Sequence, residues 1–306
     1  MRQQKIHAKD VIFYVVMLAF PIAQFCLFYI GVNGRSFLYA FQNIEIVQEG
    51  GILSRRVTYS IQPLVDAFED LTTSESLQML LMSIVSFLLT YFIGTSLALF
   101  FSYFIYKKLP LGSMFKVFLF LPSILSAIVM ATIFRFFVDE AIPAMQNEWF
   151  HETVTSMLAD KATRYGVVIF YHILISFGTS VLMYSNAMSG VSTEIVEAAK
   201  IDGCGQFGEF FHIMLPSIFP TITTFAITSV AAIFTNQISL FAIYGNSAPV
   251  ETRTLGYFLY VRTLASANKE PEYPVLCAMG LIISSVAIPL TLLTKYLLEK
   301  YGPSED

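Results

Sequence analysis

Charged residues are scarce in this chain of 306 residues. Asp, Glu, Lys and Arg make up 13% of it, against about 25% in a typical soluble domain. Hydrophobic residues make up 56%. This balance indicates an integral membrane protein rather than a soluble one.

Cysteine and histidine are also rare. Of the three cysteines, Cys26 and Cys277 lie in apolar runs and Cys204 lies in a loop, so no exported pair implies a disulfide framework. The histidines have no zinc-ligand spacing and form no catalytic set with a nucleophile and a base. They are scattered over loops and one apolar run: His7, His151, His172 and His212.

Signatures of nucleotide and nucleic-acid binding are missing. The sequence contains no Gly-x-x-x-x-Gly-Lys-Ser/Thr, and no lysine is followed by Ser or Thr. The chain therefore lacks a P-loop and cannot itself hold ATP in that way. A net charge of -4 and the absence of a basic patch give no sign of a nucleic-acid partner.

Long apolar runs dominate what remains. Because a hydrocarbon core about 30 Å thick needs roughly 20 helical residues, such runs predict transmembrane helices. We predict an all-α integral membrane fold, with residues 1–306 forming a single transmembrane domain. Its six spans are expected at about 11–33, 77–106, 115–138, 166–188, 216–243 and 273–296.

The orientation follows from Lys and Arg. The first run is too long for a signal peptide and lacks an Ala-x-Ala exit, so it is read as an anchor. The 18 Lys and Arg residues divide equally between the two sides, but the inner loops together are about half as long, so positive charge is denser there. This favours cytoplasmic termini and a cytoplasmic loop between spans four and five.

Two outward segments carry structure of their own in this interpretation. Residues 35–75 contain aromatic side chains among charges, so part of the segment is expected to pack. Ile142, Met145, Trp149 and Met157 recur at near-helical spacing, which predicts an amphipathic helix at the outer surface. That helix either rests at the interface or receives an external partner.

The loop at 192–215 is polar and glycine-broken between two apolar runs. Ser192 or Thr193 can cap a helix that Glu194 and Glu197 favour in its first turn. Gly203 and Gly205 are then expected to end this helix. A second helix is expected over 206–215, before the next span starts at Pro216. Small Ala198 and Ala199 beside Glu197 would permit the close approach of another protein, which indicates a knob that enters a partner's groove.

The fixed points of this loop resemble the signature loop of ABC-importer permeases. They are Glu197-Ala198-Ala199, then Gly203, then Ile213-x-Leu215-Pro216. The runs 118–122 and 128–134 are similar to the third span of the carbohydrate-uptake branch. Residues 245–260 resemble the "F or A" half of the maltose and glycerol-phosphate systems. Departures from the usual residues lie outside Glu197 and Gly203: Phe134, Ser192-Thr193, Cys204 and Ser247-Ala248.

The resemblance implies a multi-pass permease in the cytoplasmic (inner) membrane of a prokaryote. Its expected partners are a second permease subunit, two ATP-binding subunits, an extracytoplasmic substrate-binding protein, a carbohydrate and the lipid bilayer, with no nucleic acid. The chain itself would hold no cofactor, since ATP and Mg²⁺ would lie on the partner ATPase. Transport would proceed by alternating access. Coupling to the ATPase is expected from Glu197, Ala198, Ala199, Asp202 and Gly203.

Polar side chains inside the spans are candidates for the substrate pathway. His172, Ser176 and Thr179 would share a face of span four, and Ser229, Asn236 and Gln237 would lie on span five. Tyr244 could stack on a sugar ring. The alternatives are structural: hydroxyls that bond their own helix, a histidine that bonds a neighbouring helix, and an interfacial tyrosine.

Rival functions remain open from the sequence. Another solute, such as a polyamine or a polyol phosphate, would call for buried acids or bases, whereas no Asp or Glu lies inside a predicted span. A channel would need no ATPase-docking loop, and a membrane enzyme would need a convergent catalytic set. A neutral polyhydroxyl solute fits best.

Overall fold

The computed structural model describes residues 8–49, 52–108, 112–151, 156–267 and 269–303. Arg2 and Lys5, which entered the orientation argument, and His7 lie outside the described residues. The chain divides into two compact units, Met1–Thr73 with Thr263–Ser284, and Ser74–Arg262 with Ser285–Asp306.

The first unit begins with a long helical run, Phe13–Tyr39, that has no buried residue in its most apolar stretch, as expected of a lipid-facing span. The elements are α1 (Ala8–Gln24), a π-helical turn (Phe25–Ile30), α2 (Gly31–Tyr39), β1 (Gln42–Glu49), β2 (Ile52–Tyr59) and α3 (Gln62–Thr72).

The outward segment of this unit corrects the all-α prediction. The strands β1 and β2 pair antiparallel, with Gln42 opposite Tyr59 and Glu49 opposite Ile52. Ala40, Ile44 and Ala67 are buried, so the segment packs as predicted but does so around a hairpin. The physical reason is local, because two runs that contain β-branched residues flank the sequence Gly50-Gly51, a hairpin-turn dipeptide.

The second unit is helical in its described part. Its elements are α4 (Ser74–Tyr106), α5 (Gly112–Ile124), α6 (Ala127–Phe136), a π turn (Phe137–Ala141), α7 (Ile142–Phe150), α8 (Arg164–Ser189), α9 (Thr193–Ile201), α10 (Gln206–Gly208), a π turn (Glu209–Met214), α11 (Leu215–Ser217), α12 (Phe219–Ala231) and α13 (Leu240–Tyr244). The helices α14 (Leu255–Ala265) and α15 (Tyr273–Tyr301) contribute to both units, and short 3₁₀ turns lie at Val250–Thr252 and Glu270–Glu272.

Four helices of the described residues are long and apolar enough to cross a membrane, or up to six if each of two bent pairs is one span. The four are Phe13–Tyr39, Ser74–Tyr106, Arg164–Ser189 and Glu270–Tyr301, which agree with predicted spans one, two, four and six. The chain is a predominantly helical, multi-pass membrane protein.

The third and fifth predicted spans are not the continuous helices we expected. Helical segments before Ile124 and after Ala127 meet at 103°, close to Pro122, which removes a backbone donor from the end of α5. The fifth bends by 65° between Ser217 and Phe219, and α12 then ends at Ala231. Residues 232–239 form turns instead of continuing the helix to 243.

The amphipathic helix is present but shorter than its pattern. α7 carries Ile142, Met145 and Trp149, with Trp149 exposed, whereas Met157 lies in a turn beyond it. The prediction is therefore correct for the first three residues and wrong for Met157.

Close packing of α8 against α5 depends on Gly178. A Cβ at this position would overlap the carbonyl oxygen of Leu119 and lie 2.7 Å from its carbonyl carbon. Small residues permit this approach between membrane helices.

We expect Gly178→Ala to lower the free energy of unfolding by about 1–3 kcal/mol, the usual cost of overpacking. A thermal melt of the purified protein in detergent would measure this loss. Gly94→Ala is the control, because its Cβ would meet only the Ile173 side chain at 3.9 Å. Equal melting temperatures for the two variants would contradict this account.

Candidate functional site

The loop between α8 and α12 starts with a well-capped helix. Ser192 Oγ accepts a hydrogen bond from the Glu194 N–H at 3.2 Å at the start of α9. At the other end, Gly203 has φ +80°, its N–H donates to the Lys200 carbonyl at 3.1 Å, and the Cys204 N–H donates to the Ala199 carbonyl at 2.9 Å. This pair of bonds is a Schellman motif, and its left-handed residue explains the glycine.

A second helical segment follows and is continuous from α10 through the π turn to α11. It contains the predicted helix 206–215. Val196 of α9, with Phe210 and Met214 of the second segment, packs into a core formed with Tyr184 and Met188 of α8. The loop is thus fixed to the helix bundle by apolar contacts and is expected to move with it.

The outer surface of the loop is open. Glu197, Ala198 and Asp202 are exposed, while Ala199 is partly buried. Large apolar side chains stand beside them, with Ile201 86% and Phe207 76% exposed, joined by Ile195 and Phe211. An acidic, alanine-lined helix flanked by exposed apolar groups is a surface suited to a protein partner.

A cavity of about 270 Å³, with both polar and apolar lining residues, lies between α4, α8 and α12. It is near the lower end of the about 300–1,000 Å³ common for ligand pockets. None of the described residues that line it is Asp, Glu, Lys or Arg. The polar lining residues are Ser83, Ser86, Thr90, Tyr91, Thr95, His172, Ser176, Ser180, Thr228, Ser229 and Asn236.

His172 and Asn236 meet at this cavity. His172 Nε2 lies 3.5 Å from Asn236 Nδ2, and His172 Nδ1 lies 3.2 Å from Ser239 Oγ. Asn236 Oδ1 accepts the Ile238 N–H at 2.8 Å. Ile238 and Ser239 have φ of 45° and 61°, a conformation that is costly for a β-branched residue. A constrained turn, rather than a helix, therefore forms this wall.

Of the other residues predicted for the pathway, some line the cavity and others do not. Ser176 and Ser229 line the cavity, whereas Thr179 is exposed and does not. Gln237 has a buried Oε1 with no hydrogen-bond partner among the described residues, and it lies outside the lining. Tyr244 also lies outside the lining, and its hydroxyl donates to the Leu158 carbonyl at 3.4 Å. Ser229 and Asn236 were both expected on span five, but they do not share a helix, since α12 ends at Ala231.

Sequence reasoning missed the contribution of α4. Ser83, Ser86 and Thr90 fall three and four residues apart, on one helix face, and all line the cavity. The same periodicity that selected His172 and Ser176 would have found them. Ser86 also bonds the Tyr165 hydroxyl at 3.0 Å.

The lining determines what the cavity can hold. Hydroxyl, amide and imidazole groups supply both donors and acceptors without a full charge. Phe87, Tyr91, Phe177 and Phe225 add aromatic surface. Such a lining suits a neutral solute rich in hydroxyl groups, with a few polar contacts fixing its orientation.

A multi-pass helical bundle with an uncharged cavity fits a membrane-transport protein, and comparison with known proteins identifies the class. Residues 90–302 match the family of binding-protein-dependent transport system inner membrane components. The chain belongs to this family, as its loop motif predicted.

Relatives within the class are permeases. The multiple sugar-binding transport system permease protein MsmF of Streptococcus mutans is 26% identical over 177 residues, which cover 58% of this chain and 60% of that protein. The match thus spans about three fifths of the relative's length. The crystal structure of a bacterial ABC transporter that imports the acidic polysaccharide alginate contains a similar fold, with a TM-score of 0.76, 16% identity and 96% of each chain covered. A second structure of a bacterial alginate ABC transporter, in complex with a pentasaccharide-bound periplasmic protein, gives a TM-score of 0.77 at 17% identity, with 95% of each chain covered.

Proposed function

We propose that this chain is the permease subunit of an ATP-driven importer and that, with a second permease, it forms the pathway for a neutral sugar or oligosaccharide. One observation carries the proposal. Helix α8 contributes His172 and Ser176 to the cavity and, after Ser189, leads directly into the anchored loop that presents Glu197. A force applied to the loop therefore reaches the cavity through one continuous helix.

Coupling in this proposal takes place at the loop. Glu197 pairs with a basic group or a helix N-terminus of an ATP-binding subunit, while Ala198 and Ala199 permit close approach. Asp202 and Gly203 shape the end of the helix. ATP and Mg²⁺ bind the ATPase subunits and not this chain, and closure of those subunits moves α9 and rocks the bundle between inward-open and outward-open states.

The proposed topology has six spans, both termini in the cytoplasm and the loop on the cytoplasmic side. Cys204 provides a test, because it lies in the loop while Cys26 and Cys277 lie in apolar helices. A membrane-impermeant maleimide is expected to label Cys204 in inside-out vesicles stripped of peripheral proteins, and not in intact spheroplasts. Cys204→Ser should remove the signal. Labelling only from the outer side would contradict the topology.

The substrate class follows from the uncharged cavity. The structurally similar alginate transporter is involved in the import of an acidic polysaccharide. The cavity lining of this chain, by contrast, contains no charged side chain that could balance the charge of a uronate, a phosphate or a polyamine. A neutral sugar finds hydroxyl partners and aromatic faces there. An external binding protein delivers it.

Uptake of a labelled panel tests the substrate class. Cells with and without this chain would be offered maltotriose, arabinotriose and raffinose, together with trigalacturonate, glycerol phosphate and spermidine. We expect uptake of at least one neutral sugar to depend on the chain and on ATP. Dependence confined to an acidic sugar, a phosphate or a polyamine would contradict the proposal and favour the importer of another solute.

A further inference from the structure

A buried ion pair joins the loop to the cytoplasmic end of α4. Lys107 Nζ lies 2.6 Å from Oε1 of Glu209 and donates to Oε2 at 2.6 Å. Their side chains are only 18% and 3% exposed. Glu209 is the first residue of the π turn, and Lys107 follows the last residue of α4. The pair therefore bridges two elements that are far apart in the sequence.

Aromatic contacts reinforce the bridge. The Tyr103 hydroxyl donates to the Gln206 carbonyl at 3.0 Å, and the Tyr103 ring lies 5.1 Å from that of Phe210. Lys107 Nζ is 5.3 Å from the centre of the Tyr103 ring, within range of a cation–π contact. The end of α4 therefore contacts the start of the second helical segment of the loop through a hydrogen bond, an aromatic contact and an ion pair.

The energetic character of this contact is unlike that of a surface ion pair. Charges removed from water are costly unless they are paired, so the loss of either partner leaves an uncompensated buried charge. The positive charge of Lys107 also interacts favourably with the negative end of the α4 helix dipole. Replacement of one partner alone is therefore expected to disturb the contact between the loop and α4 more than the loss of a surface ion pair would.

α4 connects this bridge to the cavity. Thr95, which lines the cavity, precedes Lys107 by twelve residues, or roughly 18 Å of helix. Ser83 and Ser86 line the cavity further along the same helix. The loop therefore has a second rigid route to the cavity besides α8.

We propose that Lys107 and Glu209 are positioning residues that transmit movement of the loop to α4. The pair makes α4 and α8 move together when the ATP-binding subunits close. Without the ion pair, the loop can move with the ATPase subunits while α4, which forms one wall of the cavity, does not move. This inference rests on the proposed function and names a further part of its coupling device.

The test measures movement at the cavity without requiring the sugar. In the complete importer, with Cys26, Cys204 and Cys277 replaced by serine, Ser176→Cys provides a reporter whose reaction with N-ethylmaleimide is followed with and without MgATP and vanadate. We expect the nucleotide to change the labelling rate at least about fivefold, the lower range of coupling between sites. Glu209→Gln and Lys107→Met should each abolish most of that change while the ATPase subunits stay bound. The exchanged pair Lys107→Glu with Glu209→Lys should recover it. A merely structural role would instead lower the amount of assembled importer and leave the nucleotide response of the remaining complexes unchanged.

The control is the exposed pair Lys295–Glu299, 3.7 Å apart with side chains more than half exposed. Glu299→Gln should leave the nucleotide response unchanged, because exposed pairs contribute little. An undiminished response in Glu209→Gln, or loss of the importer from the membrane in both single variants, would overturn the positioning role. A reporter that ignores the nucleotide even with Lys107 and Glu209 intact would instead overturn the proposed alternating access, so the two failures are distinguishable.

Discussion

Glu197→Lys is expected to abolish ATP-driven uptake, with a loss of at least about a hundredfold. Glu197 is exposed on a helix that is fixed to the bundle through Val196, so reversal of its charge changes the docking surface and leaves the fold intact. Truncation of one partner in a charged contact at an interface costs about 2–5 kcal/mol, and a like-charge contact adds to that cost. Uptake by whole cells of the sugar selected by the panel is the measurement.

Glu194→Lys is the matched control for this prediction. Glu194 is exposed on the same helix but lies at its first turn, three residues from Glu197. We expect it to retain most uptake, apart from a small loss in helix stability from an unfavourable dipole interaction. Normal uptake in Glu197→Lys, with the variant present in the membrane, would show that the loop does not receive the energy.

Ser176→Phe should block the pathway. Its side chain would project into a cavity of only about 270 Å³, and overfilling such a site leaves no room for a sugar. We expect uptake to fall by more than about tenfold, since displaced contacts cost several times the roughly 1 kcal/mol of one hydrogen bond. Stimulation of the ATPase by the loaded binding protein would be measured alongside, because the loop is unaltered.

Thr179→Phe is the control for Ser176→Phe. It shows whether uptake is lost because the cavity is blocked or because α8 does not tolerate a phenylalanine. Thr179 is on the same helix and exposed, but it does not line the cavity. Retained uptake in Thr179→Phe and in the small variant Ser176→Ala is the expected result. Equal loss in Ser176→Phe and Thr179→Phe would contradict the assignment of the cavity as the pathway.

The long spans and the capped loop could be predicted because their signals are local. Apolar length identified α4, α8 and α15, and Ser192 and Gly203 marked the two ends of α9. The hairpin carried a local signal as well, in the β-branched runs that flank Gly50-Gly51, and it was missed because the segment was considered only as an outward loop.

The position of the break after α12 had no strong local signal. Residues 231–239 contain neither Gly nor Pro, and Asn236, which can end a helix, lies beyond the observed end of α12 at Ala231. The decisive contacts come from a later part of the chain. Thr254 Oγ1 donates to the Asn236 carbonyl at 3.0 Å, and Gly256 packs so closely on Thr235 and Asn236 that a Cβ would overlap their backbone. Tertiary contacts therefore overrode the apolar pattern.

The cavity and the ion pair show the same limit. His172 and Asn236 could be nominated as polar residues in spans, but their proximity depends on that tertiary turn. Lys107 and Glu209 are 102 residues apart, and each alone resembles an ordinary charge near a membrane surface. Only the packing of α4 against the loop reveals that they are buried together.

Photo-cross-linking from the loop tests the central claim most directly, because it asks what touches this surface. Benzoylphenylalanine would replace Phe207, which is 76% exposed, and in a matched variant Tyr59, which is 75% exposed and which the proposed topology places outside. Irradiation of membranes that contain the whole importer should join the Phe207 variant to the P-loop ATPase subunit, identified by mass spectrometry, and should not do so for the Tyr59 variant. No ATPase adduct from position 207, or the same adduct from position 59, would contradict the claim that this loop is where the chain receives its energy.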